Sequence, residues 1–510
     1  MILTPPLLDA TAMPLPMRPL GVVERLLAFF DTAVIRLVAF AVLTPLLWSA
    51  LGEPRFGLVA TATALASLLN WPLGAFSATV TRMLLAALRV DDFVRLRRVL
   101  LMGWLLLAVL GLGMASLLAV GSGTLVDAVG LDAALGADAG DYVALTGLRL
   151  WAVAATSVWQ SAVLAAGLGG ELAAARGVRV LLEVLVAFAV AAGEIDLPTL
   201  GWLELLIVGG WGAALLVALR QAGAGWLPSP DDFHLPTARA LYAHGALEAT
   251  QSTAFLLTFD VAIFVTALVQ GPETAALLAV VAAACRLSAA SALQLATLIF
   301  GRLRELAVST PRVQRRWLVR RTTDAAIAAV GGVAVLWAVM SQRVLASWLE
   351  TLVPNGMGWW VAVLLPVAVS SVVAVRYLAT VGLDNQLGPV AAAELVLATV
   401  LALGLIGPWG PAGGVAAVTV AHLASTGWRA PLTMCRDLRL GPLRFARGRL
   451  LRLAMGTLAA WGAGTALMGL RAVRTAREVG IVAVICLILH AVAAWTSWYL
   501  AAQRVGVEND

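Results

Sequence analysis

Apolar stretches of about 20 residues, the length needed to cross a bilayer as a helix, follow one another along nearly the whole chain. Hydrophobic residues make up 61% of the 510 and charged residues 13%. A soluble domain runs at about 45–50% apolar and about 25% charged. The excess is not confined to one segment, so a single anchor helix does not account for it. An ordinary soluble enzyme and a disordered chain are both excluded. The chain reads as an all-α integral membrane protein with about 14 transmembrane helices. The windows fall near 29–51, 57–82, 99–122, 143–168, 177–193, 199–219, 241–268, 274–301, 322–341, 358–382, 388–406, 411–429, 450–470 and 479–502.

Charge sets the orientation. All 35 basic residues are arginine. They cluster after the second window (Arg82, Arg89, Arg95, Arg97, Arg98), after the eighth (Arg302 to Arg321) and after the twelfth (Arg429 to Arg449). The segments between the other windows are nearly free of arginine; Gly121 to Tyr142, the longest, carries four Asp and no Arg. Positive loops stay on the cytoplasmic side, so both termini are expected there. Arg471, Arg474 and Arg477 depart from that pattern. Arginines that punctuate hydrophobic spans do not make a nucleic-acid surface. They are suited to anionic lipid headgroups. Three scattered cysteines form neither a disulfide framework nor a metal site, and no Gly-x-x-x-x-Gly-Lys-Ser/Thr phosphate loop exists in a chain without lysine. Neither cofactor nor metal is expected.

A repeat recurs at an offset of about 217 residues. Ala50-Leu-Gly-Glu-Pro-Arg-Phe-Gly57 opens an apolar window that ends in the Arg97–Arg98 cluster, and Ala267-Leu-Val-Gln-Gly-Pro-Glu273 opens one that ends at Arg315–Arg316. Asp31 and Glu248 stand in register ahead of them. The expected division is a tail over 1–28, a six-helix bundle over 29–219, a linker over 220–240, a second bundle over 241–434, and two further helices within 435–510. Each bundle holds an even number of helices, so the copies share one orientation. A pseudo-two-fold axis along the membrane normal would relate them, with substrate bound between.

These features resemble the polysaccharide-exporter branch (O-antigen and exopolysaccharide flippases) of the superfamily that also holds the multidrug/toxin extruders and the lipid II flippase. The resemblance rests on the two-bundle layout and on local text. That text is Leu51-Gly-Glu-Pro-Arg-Phe-Gly57, Asp260-Val-Ala-Ile with Gly271-Pro-Glu and Arg286-Leu, Arg376-Tyr-Leu-Ala-Thr-Val-Gly382, and Gly410-Pro-Ala-Gly-Gly414. It implies a transporter, not an enzyme, in the bacterial inner membrane. Its cargo would be an undecaprenyl-diphosphate-linked glycan, moved from the cytoplasmic to the outer leaflet by alternating access. Membrane lipids, a polysaccharide polymerase and glycosyltransferases are the partners it implies. The alternatives are a cation-coupled multidrug exporter, which would want a carboxylate-rich cavity, a membrane-bound polymerase or glycosyltransferase, which usually needs a large outer loop, and a lipid II flippase.

Charges at helix centres are costly, about 2.5–3.5 kcal/mol each on insertion scales. Arg36 lies roughly 10 Å into its window, Arg149 roughly 9 Å and Arg286 roughly 18 Å, at 1.5 Å per residue; Arg376 is nearer an end. These four are the candidate ligands of a diphosphate, because a guanidinium stays protonated and binds phosphate oxygens bidentately. The plainer alternative pairs each with a buried carboxylate, from Asp31, Glu183, Glu248, Asp260 and Glu394. Asp31, Glu248 and Asp260 are candidates for gating or ion coupling, with a fixed salt bridge equally open. His244, His422 and His490 read as packing residues, Trp348, Trp359 and Trp360 as interfacial anchors, and Gln160, Gln251 and Gln294 as helix-bridging groups.

Overall fold

The computed structural model describes residues 22–88, 90–130, 133–193, 195–223, 226–249, 254–306, 311–349, 356–443 and 445–446. Among them the chain is all helix and short turns, with no strand. In lipid every backbone N–H and C=O must be satisfied within its own segment, and helices do this. The helices are α1 (Val22–Leu88), α2 (Phe93–Val129), α3 (Ala133–Ala165), α4 (Gly169–Ala191), α5 (Leu197–Ala222), α6 (Leu235–Ala249), α7 (Ala254–Gln270), α8 (Pro272–Leu306), α9 (Arg312–Leu349), α10 (Met357–Val381), α11 (Gly388–Ala424) and α12 (Thr426–Asp437).

Two of these elements are each a pair of arms. α1 breaks at Gly52, with φ of 73°, and α11 at Gly410, with φ of 58°. Eight residues of straight helix rise about 12 Å. Yet the rings of Trp48 and Phe56 are 5.2 Å apart across the first break, and Gly413 lies against the Leu405 carbonyl across the second. Both chains therefore fold back. The recipe is the same each time: glycine takes the left-handed backbone that a side chain disfavours, and proline, which needs no N–H partner, starts the next helix. It is Gly52 with Pro54, Gly410 with Pro411, and Gly271 with Pro272 between α7 and α8. Left-handed glycines recur along the chain at matched spacing: Gly52 and Gly271 are 219 residues apart, Gly167 and Gly382 are 215, Gly193 and Gly410 are 217.

Several expected boundaries shift. The stretch Gly121 to Tyr142 is mostly helix, because α2 runs to Val129 and α3 begins at Ala133, with the left-handed Gly130 ending α2. Hydropathy marks where a helix leaves lipid, not where its backbone hydrogen bonds stop. For the same reason α9 starts at Arg312, inside the basic segment. The window 241–268 is divided between α6 and α7. Six segments among the described residues are long and apolar enough to span a membrane. α3 and α4 fall outside that set because they carry charges of their own, including Arg149, Arg179 and Glu183. The expected spans at 450–470 and 479–502 lie outside the described residues.

α3 packs on α2 and α5, and α8 and α11 each pack on α7 and α10, while α1 meets α2, α3 and α4 on one side and α6, α7 and α8 on the other. At the end that carries the Gly–Pro turns, Gly57 sits so close to Pro272 that any Cβ would overlap the proline carbonyl. There too Gln270 Nε2 donates to the Ile406 carbonyl at 2.7 Å, tying α7 to α11. At the arginine-rich end Gly245 of α6 fits under the ring of Phe76, which stacks on Tyr242 at 5.8 Å. Both ends of the seam are thus in contact.

Arginines clamp the arginine-rich end. Arg97 Nε donates to the buried Asp232 carboxylate at 3.2 Å. Arg316, 219 residues on, donates to the Leu438 carbonyl at 2.6 Å. Burial alone would raise the Asp232 carboxyl, but the Ser229 N–H and Arg97 outweigh it and hold the group below the usual carboxylate range.

Candidate functional site

Among the described residues Arg179 pairs with Glu183 within α4, and two further guanidinium–carboxylate pairs in the spans join different helices. The first is built from three helices. Arg149 of α3 donates to Glu204 of α5, and its other terminal nitrogen reaches Thr63 Oγ1 on the second arm of α1 at 3.3 Å. The hydroxyl of Tyr142, one helical turn and three residues before Arg149, donates to the same Glu204 carboxylate at 3.3 Å. The side chains of Arg149 and Glu204 keep 19% and 25% of their surface open.

The second pair joins neighbouring helices. Asp260 of α7 is buried, and Arg286 of α8 reaches it at 2.6 Å with 30% of its side chain open. Asp260 is 11 residues before the Gly271 turn and Arg286 is 15 after it, so both sit roughly 16–22 Å from that end. A charge at that depth faces the bundle interior or a water-filled cavity and pairs with another charge or with backbone carbonyls.

The candidate arginines thus separate. Arg149 and Arg286 are ion-paired, Arg376 is half-buried on α10, and Arg36 lies on the first arm of α1. The side chains of Arg36, Asp31 and Glu248 are outside the described residues. Of the five carboxylates expected as partners, Asp260 pairs with Arg286, while Arg149 takes Glu204, which was not among them. Glu183 takes Arg179, four residues before it, at 2.8 Å, and Glu394 takes His422. Glu204 carries no flag in the sequence reading. Its signal was available: it stands seven residues into its helix, at the depth of Arg149.

A third polar cluster joins α10, α11 and α12. Glu394 and His422 are fully buried, with Nδ1 of the ring 2.8 Å from the carboxylate. Ser425 and the Thr426 N–H also donate to Glu394, and Nε2 of His422 meets Ser371 Oγ at 2.9 Å. Cys285 and Cys435 are buried and form no disulfide with each other, and the described residues hold no group of three or more His, Cys, Asp or Glu side chains placed to hold a metal ion.

No protein-family model matches this chain, and no curated protein does. Solved structures do. A lipid II flippase MurJ in an inward closed conformation superposes with a TM-score of 0.69 over 94% of this chain and 99% of its own, at 11% identity. An inward-facing multidrug resistance MATE family transporter of the MOP superfamily gives 0.63 over 80% of this chain and 99% of its own, at 12% identity. The eukaryotic MATE transporter AtDTX14 gives 0.62 over 84% and 99%, at 13% identity. The chain therefore has the fold of these transporters and is a multi-pass membrane protein.

Proposed function

We propose that the chain is a flippase that carries a polyprenyl-diphosphate-linked oligosaccharide from the cytoplasmic to the outer leaflet, by alternating access, for surface polysaccharide biosynthesis. The observation that carries this reading is two guanidinium groups held inside the spans with part of their surface open, Arg149 on α3 and Arg286 on α8. A diphosphate needs about two negative charges shielded on its way through hydrocarbon. In the resting protein the carboxylates hold Arg149 and Arg286 in place. Phosphate oxygens, with their higher charge and bidentate geometry, compete for the same donors. Arg36 and Arg376 complete the set. No covalent chemistry is required.

The architecture we assign is two six-helix bundles, 29–219 and 241–434, related by a pseudo-two-fold axis, with two more helices in 435–510. The matched glycine pairs support the repeat. The larger share of this chain covered by the MurJ structure, 94% against 80–84% for the two MATE structures, supports the added helices. We place the arginine-rich end in the cytoplasm of the bacterial inner membrane. A polymerase and glycosyltransferases are the partners this role calls for.

The test is cellular. Arg286→Ala and Arg36→Ala should each abolish surface polysaccharide while the protein level in the membrane is kept. Normal export from both variants would remove the reading. One observation favours a cation-coupled exporter instead: both described arginine sites are neutralised by a carboxylate. Extrusion of a lipophilic fluorescent cation by vesicles carrying the protein, lost in Asp260→Asn, would decide for that alternative.

A further inference from the structure

The cluster around Glu394 lies apart from both arginine pairs. Its members come from four segments: Ser371 on α10, Glu394 on the first arm of α11, His422 on the second arm, and Ser425 with Thr426 where α11 passes into α12. In a straight helix 28 residues would separate Glu394 from His422 by about 42 Å; the fold-back at Gly410 brings them into contact. Glu394, His422 and Ser371 are at most 1% exposed. A buried polar pair of this kind is poorly explained by stability, since apolar side chains of the same volume serve as well or better.

The hydroxyl groups show what the cluster is suited to. Each serine has one proton and two acceptors within reach. Ser371 Oγ is 2.8 Å from the Ala368 carbonyl and 2.9 Å from Nε2 of His422. Ser425 Oγ reaches both the Ala421 carbonyl and Glu394 Oε2. With His422 charged, both ring nitrogens donate, Nδ1–H to Glu394 and Nε2–H to Ser371, whose own proton rests on Ala368. When the ring loses its Nε2 proton, the Ser371 hydroxyl turns from Ala368 to donate to Nε2. When Glu394 gains a proton, the Ser425 hydroxyl turns to Ala421. In each state the histidine and the carboxylate keep their hydrogen bonds by rotation of an O–H, with no movement of helices. Thr426 Oγ1, buried beside the carboxylate, has no hydrogen-bond partner and leaves one more polar group facing the site.

Other charges on the surrounding elements have their own placements. Asp260 of α7 faces Arg286 of α8, and Asp437 of α12 takes the Tyr377 hydroxyl at 2.6 Å with Arg315 of α9 at 3.9 Å. Arg429 and Arg436 of α12 are exposed, as are Glu273 of α8 and Arg312, Arg320 and Arg321 of α9, while Asp324 of α9 is half-buried. Arg376 is five residues beyond Ser371 on α10, turned about 140° around the helix. Among the described residues the Glu394 carboxylate accepts from His422, Ser425 and Thr426.

We propose that Glu394 and His422, with Ser371 and Ser425 as rotating partners, form a proton-binding site of this protein. The proton is taken up from the nearer, arginine-rich end, where α11 begins and α12 follows. That its uptake drives the transport cycle rests on the transporter reading above; that the site binds a proton does not.

The experiment uses the full-length protein in detergent micelles with ring-labelled histidine, followed by NMR. The chain has four histidines, and the His422→Asn variant identifies the His422 signal. That signal should change with pH between a charged and a neutral form. Glu394→Gln should lower the midpoint by about one unit, a tenfold loss of proton affinity. Ser425→Ala, which takes a donor from the carboxylate, should raise it, and this smaller change keeps the test open if Glu394→Gln does not accumulate. A His422 signal fixed in one charge state throughout overturns the proposal, as does a midpoint that neither variant moves. No cargo is present, so failure here is separate from failure of the flippase reading.

Discussion

Arg149 has a carboxylate at hydrogen-bond distance and Thr63 on its other side, and that arrangement sets what its loss of a partner would do. Removing Glu204 leaves a guanidinium charge inside the span with a hydroxyl for company. Breaking a buried pair from one side costs about 3–5 kcal/mol. Since 19% and 25% of the two side chains are open, Glu204→Ala should fall near the low end, about 3 kcal/mol. Thermal unfolding in detergent would read it, and Arg149→Met combined with Glu204→Leu should restore much of the loss. A single variant as stable as the parent would mean that the charge is solvated without Glu204. Depth alone singled out Arg286 first and Arg36 next as residues that lipid does not tolerate unpaired, with Arg149 closer to an end of its span. The partner of Arg149 was not legible, because Glu204 is 55 positions away and the approach of α3 to α5 decides it. Asp260 was legible as a candidate, but its link to Arg286 comes from the antiparallel packing of α7 and α8.

At the scale of elements, the arginine-rich end is tied by contacts whose strength depends on pH. The Asp232 carboxyl is held below its ordinary value by Ser229 and Arg97 against the opposing effect of burial. A carboxyl depressed in the folded state stabilises above its unfolded value of about 3.9 and loses that contribution as pH falls through its own lower value. The stability difference between the parent and Asp232→Asn should therefore stay constant near neutrality and shrink below about pH 4. A denaturation series across that range checks it, and a difference that grows on acidification would contradict it. The helices themselves were largely readable from hydropathy, but their ends were not. α9 begins among arginines and α3 among aspartates because hydrogen bonding along a helix does not stop at the lipid boundary. The fold-backs at Gly52 and Gly410 could be read as turns, since a left-handed glycine next to proline is a local signal.

For the whole molecule, the seam between α1 and the helices from α6 onward is closed by close-fitting glycines at both ends. Alternating access needs the two ends to part in turn. Gly57→Leu should hold the Gly–Pro turn end apart, because the new side chain would occupy the place of the Pro272 backbone. Gly245→Leu should do the same at the arginine-rich end by displacing Phe76. Spin labels across each end would show the two variants shifted in opposite directions. Equal distances in both would mean that these contacts do not gate the seam.

Composition and the spacing of apolar stretches by themselves made this a helical, multi-pass membrane chain, since no other secondary structure of that length satisfies its backbone in lipid one segment at a time. The internal offset and the buried arginines were also readable as text. The tertiary structure alone decided which charges meet. Pairing of Arg149 with Glu204, Arg286 with Asp260 and His422 with Glu394 is set by how helices far apart in sequence lie side by side. That choice is made by packing across the bundle, which no local run of residues encodes.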